Sequence, residues 1–250
     1  MAKMPDCFID LTITSPPYDQ LRDYKGYNFL FESTAKELYR ITKQGGIIVW
    51  IVGDATVKGD ETGTSFNQAL YFKSCGFNLF DTMIYAKTPR GAVGNNKTYW
   101  QIFEYMFILS KGQPKTIHLI KDRLNKESRD GDNGTKRLKN GDLLNTKRGG
   151  YGSYGRRTNI WKYDIGKGKS TKDNFAFKHP AIFPEQLVED HLLSWSNEGE
   201  LIYDCFMGSG TVAKMCILNN RNFIGSEISS EYCNIIEERI KKALSLHHKE

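Results

Sequence analysis

The sequence predicts an α/β protein with a Rossmann-like, doubly wound and mostly parallel sheet. Two patterns support this prediction: short apolar runs that stop at turn residues, and amphipathic stretches between them. Such alternation is typical of parallel strands covered by helices on both faces. The predicted strands are residues 8–14, 47–52, 79–85, 104–109, 201–204 and 222–225. The predicted helices are residues 32–42, 65–75, 184–195 and 231–246, with a further helix that ends at Asn219.

A rigid corner follows the first predicted strand, where the sequence reads Ser15-Pro16-Pro17-Tyr18. Neither proline can donate a ladder hydrogen bond and each fixes its own φ, so the strand has to end there. A hydroxyl, a carbonyl and an aromatic ring then project from the carboxyl edge of the sheet, where open α/β sheets bind ligands. On its own, the motif is equally consistent with an ordinary Pro-Pro turn.

A glycine-rich loop follows the strand at residues 201–204 and leads into a helical pattern. The strand ends in Asp204, the loop contains Gly208 and Gly210, and the next strand is followed by Glu227, 19 residues after Gly208. Glycines at such a turn let the backbone approach a ligand, and a carboxylate at that distance is placed to bind ribose hydroxyls. The combination predicts a nucleotide site, whereas a lone glycine loop would predict only a turn.

The two motifs, in this order, resemble those of the DNA amino-methyltransferases, which methylate an exocyclic base nitrogen. The catalytic motif of that family, Asp/Asn/Ser-Pro-Pro followed by an aromatic residue, matches residues 15–18, and its cofactor loop Phe-x-Gly-x-Gly-Thr matches residues 206–211. A third match, residues 178–185, resembles the segment that opens the helix beside the cofactor. Catalytic motif first and cofactor motif last is the permuted order called the β class. The resemblance implies one methyltransferase domain over residues 1–250.

The resemblance implies S-adenosylmethionine as the cofactor and a flipped base of double-stranded DNA as the substrate. Ser15, Pro16, Pro17 and Tyr18 are the expected catalytic residues: Tyr18 stacks on the base, while the Ser15 hydroxyl and the Pro16 carbonyl accept hydrogen bonds from its amine. The expected cofactor-binding residues are Asp204, Phe206, Gly208, Gly210, Thr211, Glu227, His179 and Pro180. Asp204 either binds the cofactor's ammonium or only braces the loop, and Thr211 is expected to cap the following helix.

Serine at the first position of the catalytic motif bears on which base is methylated. In the family, Ser-Pro-Pro-Tyr is associated mostly with methylation of cytosine N4, and Asp-Pro-Pro-Tyr with methylation of adenine N6. A hydroxyl is a weaker acceptor than a carboxylate, but either can hold an amine. The resemblance therefore favours cytosine N4 as the target of Ser15, with adenine N6 as the alternative.

The middle of the chain has a different composition. Residues 111–178 contain 18 Lys and Arg against 7 Asp and Glu, a surplus of 11 positive charges, whereas the rest of the chain has a surplus of 5 negative ones. Poor periodicity predicts an irregular basic insertion. It is either a solvated loop or a region that recognises the DNA target and neutralises phosphates. Lys147, Arg148, Arg156 and Arg157 are the candidate DNA contacts.

Cysteine usage and the absence of a secretory or membrane-spanning pattern predict a cytoplasmic protein, which the resemblance would place in a bacterium, an archaeon or a phage. Five cysteines without a Cys-x-x-Cys pair indicate reduced thiols and no metal site. A homodimer and a cognate restriction enzyme are further partners that the resemblance allows.

Besides Ser15, two departures from the family pattern limit what the resemblance implies. Cys205 stands where the family usually has proline, and only a few residues precede the first strand, where the family commonly has an additional strand and helix. The short N-terminus makes a DNA-binding module without activity an alternative. A nucleotide-dependent oxidoreductase would also use the glycine loop, but such enzymes usually carry that loop near the N-terminus. An RNA or protein substrate would also suit the basic stretch.

Overall fold

The computed structural model describes residues 1–17, 29–88, 98–126, 131–150 and 152–247, without the side chains of Asp132 and Arg148. It divides into two compact units, one formed by residues 1–118 and 159–250 and the other by residues 119–158. A 3₁₀ helix, Asn174–Lys178, precedes the third α-helix. The strands and α-helices, in chain order, are β1 (Ile9–Thr14), α1 (Phe31–Ile41), β2 (Thr42–Val52), β3 (Thr56–Val57), β4 (Asp60–Glu61), α2 (Thr64–Ser74), β5 (Asn78–Lys87), β6 (Phe103–Ser110), β7 (Arg123–Leu124), β8 (Asp132–Arg137), β9 (Leu143–Arg148), β10 (Tyr154–Gly155), β11 (Ile160–Tyr163), α3 (Glu185–Trp195), β12 (Leu201–Asp204), α4 (Thr211–Leu218), β13 (Asn222–Gly225) and α5 (Ser230–His247).

The larger unit is built around a seven-stranded sheet with the strand order β11-β5-β6-β2-β1-β12-β13. β6 runs antiparallel to both its neighbours, and the other neighbouring pairs are parallel. Each strand and helix that the sequence predicts is present, and the largest shift in a boundary is in β2, which begins at Thr42 instead of Ile47. The predicted doubly wound, mostly parallel sheet is confirmed, whereas the assignment to a permuted class stays a prediction.

Helices cover both faces of this sheet. Alternate residues of its central strands point to opposite faces, and the apolar side chains on each face pack against helices. On one face, Trp50 and Val52 of β2 pack in a cluster with residues of α1 and α2. On the other face, Met106, which pairs with Ile51, contacts His191 of α3, and α4 packs against both α3 and α5. Burial on both sides explains the continuous apolar sequence of β2. None of the helices in the described ranges combines the length and apolarity needed to cross a bilayer.

The edge strand β11 lies inside the stretch that sequence patterning assigns to the basic insertion. It pairs in parallel with β5 at the edge of the large sheet. Trp161 and Tyr163 are buried, whereas Ile160 and Lys162 are exposed, which is the alternation of a half-buried strand. The sequence does not predict this strand because four residues among lysines and glycines are too few to establish a period.

The smaller unit, residues 119–158, consists of two antiparallel strand pairs, β7 with β10 and β8 with β9. The irregular insertion that the sequence predicts is therefore partly regular. Its strands carry mostly polar residues and show no apolar periodicity. The unit contains 11 Lys and Arg against 5 Asp and Glu, so its surplus of 6 positive charges equals the formal net charge of the whole chain.

Candidate functional site

The parallel pairing of β1 with β12 brings the two sequence motifs together. Both strands end at the same edge of the sheet, where the Thr14 hydroxyl donates a 2.7 Å hydrogen bond to Asp204 Oδ1. Ser15 and Cys205 are the next residues after the two strands. The corner at residues 15–17 and the glycine loop, residues 205–210, therefore begin side by side although about 190 residues separate them in sequence.

A cleft of about 1140 Å³ opens at this edge of the larger unit. Three residues of the predicted catalytic motif, Ser15, Pro16 and Pro17, line it, and Tyr18 lies outside the described residues. Of the residues predicted to bind the cofactor, all except Gly210 line the same cleft: Asp204, Phe206, Gly208, Thr211, Glu227, His179 and Pro180. The fold thus gathers into one cavity residues that the sequence places in three separate segments.

The glycine loop has two positions that require glycine. Gly208 and Gly210 have φ values of 51° and 76°, in the left-handed region that L side chains rarely adopt. A Cβ on Gly208 would lie 2.9 Å from the His179 ring, and a Cβ on Gly210 would lie 3.1 Å from Ile236 of α5. The loop therefore leaves no room for side chains on either side, and its backbone comes close to the cleft at Gly208.

The prediction that Thr211 caps α4 is wrong. The N-cap of α4 is Gly210, which makes no side-chain capping bond, and Thr211 is the first helical residue. The Thr211 hydroxyl instead accepts a 2.9 Å hydrogen bond from Arg239 Nη1. The left-handed conformation that the loop needs at Gly210 explains why glycine rather than threonine occupies the cap position.

Asp204 is a buried carboxylate that braces the junction between the two motifs. Its Oδ1 accepts hydrogen bonds from the Thr14 hydroxyl and from the Phe206 backbone N–H, at 2.7 Å and 3.0 Å. Burial raises the pKa of Asp204 to about 7, although these two hydrogen bonds favour the ionised form and lower it. Both roles that the sequence leaves open are compatible with this position, since the residue braces the loop and also lines the cleft.

Glu227 ties the end of β13 to the glycine loop. Its Oε2 accepts a 2.8 Å hydrogen bond from the Gly208 N–H, and its Oε1 accepts bonds from the N–H groups of Ile228 and Ser229. Ile228 lines the cleft with 66% of its surface exposed. Sequence patterning does not single out Ile228, because an isolated apolar residue after a strand has no periodicity to mark it.

His179 and Pro180 form the wall of the cleft that faces the glycine loop. The His179 Nδ1 lies 2.7 Å from the Ala181 carbonyl oxygen, and its ring packs edge-on against Tyr232 with 4.4 Å between centroids. The residue is buried at this position. Its orientation is thus determined by neighbours on two sides, and its ring lines the cleft.

A further part of the cleft carries an ion pair that the sequence analysis misses. Lys87 at the end of β5 donates to Glu104 at the start of β6, and both line the cleft together with Tyr85. The Lys87 ammonium lies 5.4 Å from the centroid of the Tyr85 ring. Because the partners are on adjacent antiparallel strands and 17 residues apart, no local motif reveals the pair.

The four candidate DNA contacts all belong to the smaller unit. Lys147 on β9 and Arg156 are exposed. Arg157 is half-buried and forms an ion pair with Asp122, and hydrogen bonds from this guanidinium lower the pKa of the Asp122 carboxyl. The side chain of Arg148 lies outside the described part of the structure. Lys147 and Arg156 therefore have the exposure expected of phosphate contacts, whereas Arg157 already has an acidic partner.

A family model described as DNA methylase, N6_N4_Mtase, matches residues 9–238. The chain belongs to this family of N6/N4 DNA amino-methyltransferases. The family uses S-adenosylmethionine as its methyl donor. The orphan methyltransferase M.BamHII of Bacillus amyloliquefaciens is 58% identical to this chain over 249 residues, which are 97% of this chain and 92% of that protein.

Two solved structures have the same fold. The cytosine-N4-specific PvuII DNA methyltransferase aligns with a TM-score of 0.68 and 19% identity, covering 99% of this chain and 87% of that one. The putative DNA modification methylase TTHA0409 of Thermus thermophilus, complexed with S-adenosyl-L-methionine, aligns with a TM-score of 0.63 and 21% identity, covering 97% and 89%. These two likenesses show the shared fold, whereas the family model and the 58% identity to M.BamHII confirm the family that the sequence motifs predict.

Replacing Gly210 with alanine should weaken binding of S-adenosylmethionine by about 10-fold or more, because Ile236 would have to move and the loop would shift with it. Gly199 is a matched control, since it has the same φ of 76° but open space around its Cβ position. Both variants should lose about 1 kcal/mol of stability from the left-handed conformation. Equal cofactor affinity of the two variants, measured by titration calorimetry, would contradict the tight packing of the loop.

Burial of Asp204 predicts a distinctive pH dependence of stability. Its pKa is about 7 in the folded protein against 3.8 in the reference state, so between these values the folded state binds more protons than the unfolded chain. The free energy of unfolding should therefore decrease as pH rises from about 4 to 7, by roughly 3 kcal/mol from this group. Urea unfolding at pH 5 and pH 8 should show a smaller decrease for Asp204→Asn. The same pH dependence in both proteins would mean that burial does not destabilise the ionised form of Asp204.

Proposed function

We propose that this protein transfers a methyl group from S-adenosylmethionine to the exocyclic amine of a flipped base in double-stranded DNA, with cytosine N4 as the favoured target. The observation that supports this most is the shared cleft, in which the corner of Ser15, Pro16 and Pro17 lies at the same sheet edge as the glycine loop. Methyl transfer needs the acceptor amine and the donor held in contact, and positioning of this kind accounts for much of the rate enhancement in such reactions.

The residues at the glycine loop suit the cofactor chemically. Asp204 is a buried carboxylate in the cleft wall, which an ammonium group would stabilise in its ionised form. Glu227 lies at the end of β13 with acceptor capacity for ribose hydroxyls, and the exposed Ile228 beside it offers an apolar surface to the adenine ring. When bound, S-adenosylmethionine supplies an electrophilic methyl group on a sulfonium centre.

The catalytic corner acts on the amine. The lone pair of an exocyclic amine is delocalised into the base, which makes the nitrogen a poor nucleophile. The Ser15 hydroxyl and the Pro16 carbonyl would accept hydrogen bonds from the two N–H groups of the amine. These bonds would favour a tetrahedral nitrogen and direct its lone pair towards the methyl group of the cofactor. Tyr18 would stack on the flipped base and offset part of the few kcal/mol that flipping costs. After transfer, the nitrogen carries one proton too many, which the Ser15 hydroxyl would pass on to solvent water while giving up its own proton.

The target base within this proposal follows the family tendency of the Ser15 motif. Cytosine N4 is favoured and adenine N6 is the alternative, because a serine hydroxyl can accept a hydrogen bond from either amine. A DNA-binding module without activity is the alternative of another class. A homodimer and a cognate restriction enzyme, which the resemblance allows, are also proposals.

The basic unit of residues 119–158 is proposed to bind the DNA target. Its surplus of 6 positive charges and the exposure of Lys147 and Arg156 support contacts with phosphates. Release of counterions would then make affinity depend strongly on salt. Base-edge contacts from the same unit would have to supply the sequence preference.

Expression in a host that lacks DNA methylation, followed by mass spectrometry of nucleosides from its genome, tests the proposed function. We expect N4-methylcytosine from the wild-type protein and no modified base from Tyr18→Ala, whose lost ring should abolish stacking. N6-methyladenine would overturn the choice of base while supporting the reaction. No modified base, together with retained DNA binding, would favour the inactive module.

Charge removal in the smaller unit tests its role in DNA binding. Lys147→Ala and Arg156→Ala should each reduce the slope of log K against log salt by about 0.9 for each phosphate that the variant no longer neutralises. Lys241→Ala is the control, because Lys241 is an exposed lysine of α5 in the larger unit. Fluorescence anisotropy of a labelled duplex over a salt series measures the slopes. Equal slopes for the wild type and all three variants would rule out Lys147 and Arg156 as phosphate contacts.

A further inference from the structure

A network of buried charged side chains lies beneath the glycine loop. Arg239 of α5 is fully buried, and Lys214 of α4 and Asp173 are nearly so. Lys214 Nζ donates to Asp173 Oδ2 at 2.7 Å and to Glu185 Oε1 at 2.8 Å. Lys242 Nζ donates to Asp173 Oδ1 at 2.6 Å from the outer side. Apart from Glu185, the last residue of the third motif match, none of these residues belongs to a sequence motif.

Arg239 donates hydrogen bonds to the glycine loop and to the first residue of α4. Its Nη1 donates to the Ser209 carbonyl oxygen at 3.0 Å, to the Ser209 hydroxyl at 3.2 Å and to the Thr211 hydroxyl at 2.9 Å. Ser209 and Thr211 flank Gly210, and both line the cleft. Nη1 of Arg239 is therefore bonded to the residues on both sides of Gly210, and the second of these, Thr211, begins α4.

The remaining donors of Arg239 bond residues on either side of the segment that forms another wall of the cleft. Nε donates to Asp173 Oδ2 at 3.2 Å, and Nη2 donates to Glu185 Oε1 at 2.6 Å. Asp173 and Glu185 bracket the segment that carries His179 and Pro180. A single rigid fork thus links the glycine loop to the wall that approaches it, and a Cβ on Gly208 would already touch the His179 ring.

Stability alone is a weak explanation for this arrangement. Burying an ion network costs desolvation, and well-packed apolar residues would often be as stable in its place. Without Arg239, the two lysines would still balance the two carboxylates, so the guanidinium is not required for charge neutrality. Arg239 adds a planar group whose N–H donors point in fixed directions. This group is bonded both to Ser209 in the glycine loop and to Glu185, which lies in a different segment of the sequence.

We propose that Arg239 is a positioning residue of the methyl-donor site, which holds the glycine loop and the segment of residues 171–185 at a fixed spacing. This inference rests on the proposed function. Hydrogen bonds from Lys214 and Lys242 outweigh burial and hold the pKa of Asp173 at about 2, so the carboxylate that anchors the fork stays ionised throughout the pH range of ordinary assays.

The test compares Arg239→Met with Arg221→Met in the full-length protein, at a temperature where circular dichroism shows both to be folded. Arg221 is half-buried and bonds the backbone oxygens of Ser196 and Asn219 at the opposite edge of the sheet. We expect the Kd for S-adenosylmethionine to rise about 10-fold or more in Arg239→Met and to stay unchanged in Arg221→Met. In steady-state assays, the KM for the donor should rise in Arg239→Met, with little change in kcat or in the KM for DNA.

An unchanged Kd in folded Arg239→Met would overturn the inference, and so would an equal rise in Arg221→Met, which would indicate general loosening. If Arg239→Met does not fold, Arg239→Lys gives the same comparison, because lysine keeps the charge but loses the planar fork. We expect a raised Kd there as well, and an unchanged Kd overturns the inference. A wild-type protein that does not bind S-adenosylmethionine overturns the proposed function itself, whereas binding by the wild type with unaltered variants overturns only the role of Arg239.

Discussion

The parallel pairing of β1 with β12 is the constraint on which the rest of the site depends. Adjacent parallel strands end at the same edge, so whatever follows β1 has to lie beside whatever follows β12. The hydrogen bond from the Thr14 hydroxyl to Asp204 fixes the two ends against each other inside the protein. Because both partners are buried, loss of the Asp204 carboxylate would leave the Thr14 hydroxyl without this acceptor, which is costly. The sheet therefore sets the relative position of the corner at residues 15–17 and the glycine loop.

The carboxylate at this junction also gives the cleft its electrostatic character. Asp204 is buried, and the negative charge of Glu227 further raises its pKa, so the fold alone does not favour its ionised form at neutral pH. A cationic group in the cleft would offset that cost. Asp204 thus holds the junction through its hydrogen bonds, but among the residues that the structure describes its negative charge has no cationic partner to offset the cost of burial. A positively charged ligand would supply that partner and leave the hydrogen bonds in place.

Local patterns predicted those parts of the protein whose signals lie within a few consecutive residues. The strands at β1 and β12, the Pro16-Pro17 corner and the glycine turn at Gly208 and Gly210 all have signals of this kind. The strand β11 has only four residues and its sequence neighbours are mostly polar, so local patterns do not predict it. The Arg239 network was also missed, since its partners come from residues 171–242 and only the packing of α4 and α5 brings them together. Because arginine and aspartate are mostly exposed in proteins, an isolated arginine or aspartate in a sequence predicts a surface residue.

The choice of base cannot come from Ser15 alone. Its hydroxyl accepts a hydrogen bond from the amine of cytosine or of adenine with nearly the same geometry, so discrimination requires contacts to the rest of the ring. Cytosine presents N3 and O2 beyond its amine, whereas adenine presents N1 and N7, and these acceptors lie at different distances from the amine. The ion pair of Lys87 and Glu104 lines the same cleft and offers both a donor and an acceptor. Lys87 and Glu104 belong to β5 and β6, whereas Asp204 and Glu227 lie at the ends of β12 and β13, so the cleft carries polar groups in two separate places besides Ser15.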